Sequence, residues 1–214
     1  MFVIVVASGA ATDLSPPSAD RVVAADGGVD AALAMGLRVD VAVGDFDSVS
    51  ASGLAAVEAA GARVVRHPVA KDATDLELAL EEAVALGATS ILVLGSGGGR
   101  LDHLLAGALL LASDRWASVS VAARLGAATV AVVRPGRAVA LDGVPGAVVT
   151  LVPVGGRAGG VRTDGLTYPL YAEDLPFGTT RGVSNVLGAG PATVSIESGV
   201  LLAVLPDPST GGEP

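Results

Sequence analysis

The chain has 214 residues, 51% hydrophobic and only 3% aromatic, with a formal net charge of −9, two histidines and no cysteine. These values exclude a disulfide framework, a thiolate metal site, a cysteine nucleophile and a multi-histidine centre. The acidic balance also argues against nucleic acid as a partner, because phosphate backbones are recognised by basic surfaces. The first apolar run, Phe2-Val3-Ile4-Val5-Val6, has no basic residue before it and is too short for a signal peptide or membrane helix. It reads as a buried strand, with no membrane partner and a cytoplasmic location as the expectation. From there to about residue 125, short apolar runs alternate with helical patterns, which is the rhythm of βα units around a parallel sheet. Strands are predicted at 3–7, 21–25, 39–43, 62–66, 90–94 and 118–122. Between the last three, Thr74-Asp75-Leu76-Glu77 is a capping box that puts Asp75 in the first turn of a helix. Leu101, Leu104, Leu105 and Ala108 mark a second helix.

After residue 126 the helical patterns stop. Short β-type runs at 129–133, 138–141, 147–152, 192–196 and 200–205 are separated by Gly and Pro, as in a small β-sandwich. The expected organisation is therefore a Rossmann-like α/β domain over 1–125, an all-β sandwich over 126–206 and a flexible tail over 207–214. Trp116 falls in the first domain and reads as packing.

Chemistry-bearing residues collect at the carboxyl ends of the first set of strands, where open α/β sheets bind ligands. In Gly44-Asp45-Phe46-Asp47-Ser48 two carboxylates stand two positions apart. On an extended backbone they share a face and repel unless a cation lies between them. Asp26, Asp72 and Asp75 add further carboxylates. Any one Asp alone is as easily a turn former or helix cap, but the set together, all hard oxygen donors, suits magnesium shared with phosphates. Removing one charge of the 45/47 pair should then leave stability unchanged or raise it. Gly95-Ser96-Gly97-Gly98-Gly99-Arg100 follows a strand and opens a helix, so backbone amides there can meet a phosphate. It lacks the Gly-Lys-Ser/Thr ending of a Walker loop, and Arg100 stands where the dinucleotide fingerprint has its third Gly. Arg100 and Asp102 can act together, a guanidinium on phosphate oxygens and a carboxylate orienting it. His103 can cap, pack or touch a nucleotide.

The set Ala25-Asp26-Gly27-Gly28, Gly44-Asp45-Phe46-Asp47-Ser48, Lys71-Asp72-Ala73-Thr74-Asp75, Gly98-Gly99-Arg100-Leu101-Asp102-His103 and Gly182-Val183-Ser184-Asn185 resembles thiamine pyrophosphokinase in order and approximate spacing. The resemblance implies a magnesium-dependent transfer of pyrophosphate from ATP to the hydroxyethyl oxygen of thiamine. It also implies a homodimer whose sites lie between the α/β domain of one subunit and the β domain of the other. Onto these positions it carries Asp45, Asp47 and Asp75 as metal ligands, with Asp26 and Asp72 acting through water or as orienting groups. Asp72 or Asp75 would accept the alcohol proton, and Asp102 would stand with Arg100. Asp26, Gly27, Ser48, Lys71, Thr74, Gly97, Gly98, Gly99, Arg100 and His103 would surround ATP; Tyr168, Ser184 and Asn185 would meet thiamine. The run 200–204 is aliphatic where some members of the family have a late aromatic, which leaves Tyr168, Tyr171 or Phe177 to face the thiazolium. A pyrophosphokinase for another alcohol, such as a hydroxymethylpterin, would keep the aspartates and change the β pocket. A non-catalytic nucleotide-binding protein would not need so many carboxylates.

Overall fold

A computed structural model describes residues 1–10, 15–95 and 99–209. The chain divides into two compact units, one of residues 1–110 and 118–126, the other of 111–117 and 127 onward.

The first unit is built on six parallel strands: β1 (Phe2–Val6), β2 (Arg21–Ala25), β3 (Val41–Gly44), β4 (Arg63–Arg66), β5 (Ser90–Gly95) and β6 (Ser120–Leu125). They lie in the order β4-β3-β2-β1-β5-β6. The winding direction reverses between β1 and β5, and such a switch point opens a crevice at the carboxyl ends of the strands. Val3 to Val6 are fully buried, as expected for a strand covered on both faces. Among the described residues four helices connect the strands: α1 (Gly28–Ala34), α2 (Ala51–Ala59), α3 (Asp75–Ala85) and α4 (Leu101–Leu111). Ile4, Val6, Val22, Ala24, Val29, Ala42, Val57 and Leu94 form one core cluster. α1 lies so close to β1 that a Cβ on Gly28 would stand 2.1 Å from the Val6 carbonyl oxygen, which is why a glycine opens this helix. The capping box is present on its Thr side: Thr74 Oγ1 accepts from the Glu77 amide at 3.2 Å, and Asp75 is the first residue of α3.

The second unit is antiparallel: β7 (Ala128–Val133), β8 (Val139–Ala140), β9 (Val148–Asp164), β10 (Tyr171–Leu175), β11 (Asn185–Val186), β12 (Thr193–Ser195) and β13 (Ser198–Leu205). β13 lies between β7 and β9, and β9 also pairs with β10, β11 and β12. The sequence pattern ends a strand at 152, whereas β9 runs to Asp164. Gly155 and Gly156, at φ 71° and 153°, bend it without breaking it. Its first part pairs with β11 and β13 and its last part with β10 and β12. The pattern also passes over β10, whose Tyr171-Ala172-Glu173-Asp174-Leu175 has a left-handed Ala172 and no alternation. Trp116, 2% exposed, sits in a 3-10 turn (Asp114–Trp116) of this unit under Arg115, 4.8 Å from its ring. The Pro208 carbonyl accepts from the Val144 amide, and residues 210–214 lie outside the described part. Among the described residues no helix is long and apolar enough to cross a membrane.

Candidate active site

Four aspartates and one lysine meet beyond the ends of β2 and β3. Asp26 directly follows β2, its amide donating to the Val43 carbonyl at 2.9 Å, and it is 5% exposed. Asp45 and Asp47 follow β3, and each of Asp26, Asp45 and Asp47 has a carboxylate oxygen within 4.8 Å of the others'. Asp75 arrives from α3. Gly44 makes room for this convergence. A Cβ there would lie 3.1 Å from both Asp26 Cβ and Asp75 Oδ1, and φ is 148°.

The two carboxylates of the 45/47 pair do not face one way because the backbone is extended. β3 ends at Gly44 and Phe46 is left-handed, φ 62°, so the segment is a turn in which the Asp47 amide donates to Asp45 Oδ1 at 3.4 Å. Asp26 is left-handed as well, φ 45°. Positive φ at non-glycine residues is held by surrounding structure. Here Phe46 packs on the core of the unit, with Arg66 5.1 Å from its ring centre. Two polar contacts tie Ser48 to the carboxylates, its amide to Asp26 Oδ1 at 3.4 Å and its hydroxyl to Asp47 Oδ1 at 2.8 Å. Gly27 is close by; a Cβ on it would be 3.1 Å from the Ser48 carbonyl oxygen.

Lys71 supplies the positive charge. Its ammonium donates to Asp45 Oδ2 at 2.6 Å and lies 3.1 Å from Asp75 Oδ1. The bond from Lys71 holds the Asp45 carboxyl below its usual range. Burial instead pushes Asp75 up, against the pull of Lys71. The two aspartates differ because Asp75 Oδ1 is buried and makes no hydrogen bond among the described residues, the approach of the ammonium being close but poorly aimed. Burial alone would lower the Lys71 ammonium, yet the two carboxylates outweigh it and the net shift is upward. Asp72 is exposed and stands outside the triad of Asp26, Asp45 and Asp47.

Farther along, Arg100 forms a two-pronged bond to Asp102, Nε to Oδ1 at 3.2 Å and an Nη to Oδ2 at 2.6 Å. That bond lowers Asp102 to about 2. Both side chains and His103 are exposed at the start of α4, and Gly99 is left-handed at φ 88°. Gly97 and Gly98 lie outside the described residues.

In the second unit Ser184 is exposed and left-handed, φ 57°, its amide bonded to Thr150 Oγ1 at 3.1 Å. Asn185 is buried and committed to backbone. Its Oδ1 accepts from the amides of Tyr168 and Val186, and its Nδ2 donates to the Tyr168 carbonyl at 2.6 Å. It thus acts like a short strand pairing with Tyr168, a residue 58% exposed; Tyr171 and Phe177 are exposed too.

Sequence reasoning gave Asp26 a lesser part than its place in the triad suggests, and it gave Gly44 and Phe46 none. The signal available was local: a glycine before the first Asp, and an apolar ring between two charges that only an anchored turn explains.

Acidic side chains here gather at the carboxyl ends of parallel strands, where open α/β sheets bind ligands, and comparison with known proteins makes the class a kinase. Residues 15–121 match the family model described as the thiamin pyrophosphokinase catalytic domain, and residues 139–201 match that of the thiamin pyrophosphokinase vitamin B1 binding domain. The chain belongs to the thiamine pyrophosphokinase family. It is 26% identical over 179 residues, 84% of each chain, to a thiamine pyrophosphokinase of Bacillus subtilis. A solved thiamin pyrophosphokinase of Geobacillus thermodenitrificans superposes with a TM-score of 0.79 at 29% identity, covering 100% of this chain and 99% of the other. The Bacillus subtilis structure gives a TM-score of 0.80 at 24% identity over 96% and 98% of the two chains.

Proposed function

We propose that this chain transfers the terminal pyrophosphate of ATP to thiamine, forming thiamine diphosphate and AMP. The hydroxyethyl oxygen of thiamine attacks the β-phosphorus and loses its proton, while the bond from that phosphorus to the oxygen bridging to the α-phosphate breaks. The observation that carries the reading is the gathering of Asp26, Asp45 and Asp47, with Asp45 and Asp75 paired to Lys71, in a chain whose two halves match the two domains of one family. We read the first unit as a Rossmann-like nucleotide domain and the second as a β-sandwich for the vitamin.

Four carboxylates would repel a polyphosphate, so a divalent cation has to stand between them. The residues fit one: the donors are hard oxygens suited to magnesium, and the buried Asp75 Oδ1 has no hydrogen bond among the described residues. Asp26, Asp45 and Asp47 would hold the ion, with Asp75 beside them. Bound there, magnesium would offset charge on the transferring phosphates. Asp72, exposed in the segment before α3, or Asp75, whose carboxyl burial raises, would receive the alcohol proton. A loose phosphoryl transition state asks little of that base. Arg100 would turn its planar fork from Asp102 to phosphate oxygens, and Gly99 with its neighbours would bring backbone amides to them. Ser48, Thr74, Gly27 and His103 complete the nucleotide side, Thr74 chiefly by fixing the start of α3. On the thiamine side Tyr168 offers a ring face and Ser184 a hydroxyl, while Asn185 works through Tyr168 by holding its backbone. We further infer a homodimer with sites built from both chains, since the phosphate-side and vitamin-side groups fall in separate units.

Incubation with ATP, magnesium and thiamine, with AMP resolved from ADP, tests the reaction. Stoichiometric AMP and thiamine diphosphate are expected. ADP as the nucleotide product, or AMP formed only with a different alcohol, would replace this reading.

A further inference from the structure

The lysine inside the carboxylate cluster lies where the chemistry just described needs a divalent ion. We propose that Lys71 is a tethered counter-cation: it holds Asp45 and Asp75 in place while no ion is bound, and leaves them for nucleotide phosphate when ion and ATP arrive together. The inference rests on the reading of the cluster as a metal site.

Three observations support it. The Lys71 side chain is only 13% exposed, yet it is partnered by two carboxylates from different segments, at 2.6 Å and 3.1 Å. Asp45 belongs both to that ion pair and to the triad, so one carboxylate serves the ammonium and the metal site alike. Lys71 also sits outside regular structure, between β4 and α3, on a flexible four-carbon stem, so the charge can move without disturbing either element. The nearby Arg66 is otherwise engaged, over Phe46 and 3.5 Å from Glu58. Because two cations cannot share Asp45 at close range without repulsion, Lys71 must weaken binding of a free divalent ion. An ion arriving with a polyphosphate brings its own anionic acceptor for the displaced ammonium. The residue would thus make loading of the site depend on nucleotide.

Mn²⁺ titrated into the intact, nucleotide-free protein, with free Mn²⁺ read by electron paramagnetic resonance, tests this. Lys71→Met should bind Mn²⁺ about tenfold tighter than wild type or more, the scale expected for removing a unit charge a few Å from a divalent ion in a partly solvated site. Lys71→Arg should stay near wild type. The melting temperature of Lys71→Met without metal should fall, and Mn²⁺ should restore it by a larger shift than in wild type. A lysine with a merely structural part would lose stability with no gain in affinity. If the methionine variant does not fold, Lys71→Gln makes the same comparison. Equal or weaker Mn²⁺ binding in the folded variant overturns the proposal while leaving the metal site standing, provided Asp47→Asn abolishes the binding. No Mn²⁺ binding by any of these proteins overturns both.

Discussion

Asp45 and Asp47 are two positions apart in the chain and answer to different partners. Asp45 is bound to a shielded ammonium; Asp47 is exposed and bonded to a serine hydroxyl. Charge relief alone would predict that neutralising either is harmless to the fold, but the ion pair separates them. Asp45→Asn should lower the melting temperature, because the Lys71 ammonium then loses the nearer of its two carboxylates. Asp47→Asn should melt like wild type, and both should lose nearly all turnover. Paired melting and activity measurements decide it; normal turnover in Asp47→Asn would remove that residue from the site. At Arg100 the structure gives a titration to follow. Asp102 is lowered to about 2 by the guanidinium, so the pair's contribution is present above the ordinary aspartate range and disappears as pH falls through about 2. In Arg100→Ala the Asp102 carboxyl should climb back toward 3.8, read by carboxyl-carbon NMR, and turnover should drop. Arg100→Lys should recover only part of the turnover, because a point charge cannot copy a planar fork. An Asp102 that still titrates near 2 in the alanine variant would assign the shift to something else.

Elements set these residues where they are, and Gly44 is the joint on which most depends. Gly44→Ala would place a methyl 3.1 Å from both Asp26 and Asp75 at a φ that L-residues rarely adopt. A loss of about 1–3 kcal/mol is expected from the backbone alone, with Mn²⁺ affinity falling as the carboxylates are pushed apart. Unchanged affinity would mean the cluster tolerates a wider spacing than its geometry suggests. This is also where the sequence was least legible. Strands β1, β2 and β5 could be read because burial on both faces leaves continuous apolar runs, and α3 because its cap is written in Thr74 and Glu77. The order of the motifs points to the family that the comparisons show. What could not be read was conformational: the left-handed Phe46, which replaces strand alternation as the reason two carboxylates converge, and the ammonium of Lys71 folded in among them. Asn185 is a similar case. As a residue type it suits an aminopyrimidine edge, but its amide is spent on the backbone of Tyr168, a contact between segments that no local pattern encodes. β9 was cut short for the opposite reason: paired glycines usually end a strand, and here β9 bends through them to find new partners.

At the scale of the whole molecule the groups proposed for phosphate and for vitamin fall in separate compact units, and the homodimer inferred above can be tested through that division. If each site draws on both chains, a mixed dimer of an Asp47→Asn chain and a Tyr168→Ala, Ser184→Ala chain holds one site with every defect and one with none. Random exchange makes about half the dimers mixed, so about a quarter of wild-type activity should return if sites are independent. A mixture with verified exchange that gives only the mean of its parents would argue for sites made within one chain. The two units also differ in where their pairing is completed along the chain. Every described strand of the first lies before residue 126, whereas β13, the last of the described strands, is an interior strand of the second, and Val133 finds its neighbour only at Leu201. At about 5–20 residues synthesised per second, β7 waits on the ribosome for several seconds with an open, Val-rich edge. During synthesis the first unit is therefore free to fold early, whereas the second cannot close until β13 is released. It is this waiting edge that a holding chaperone would meet.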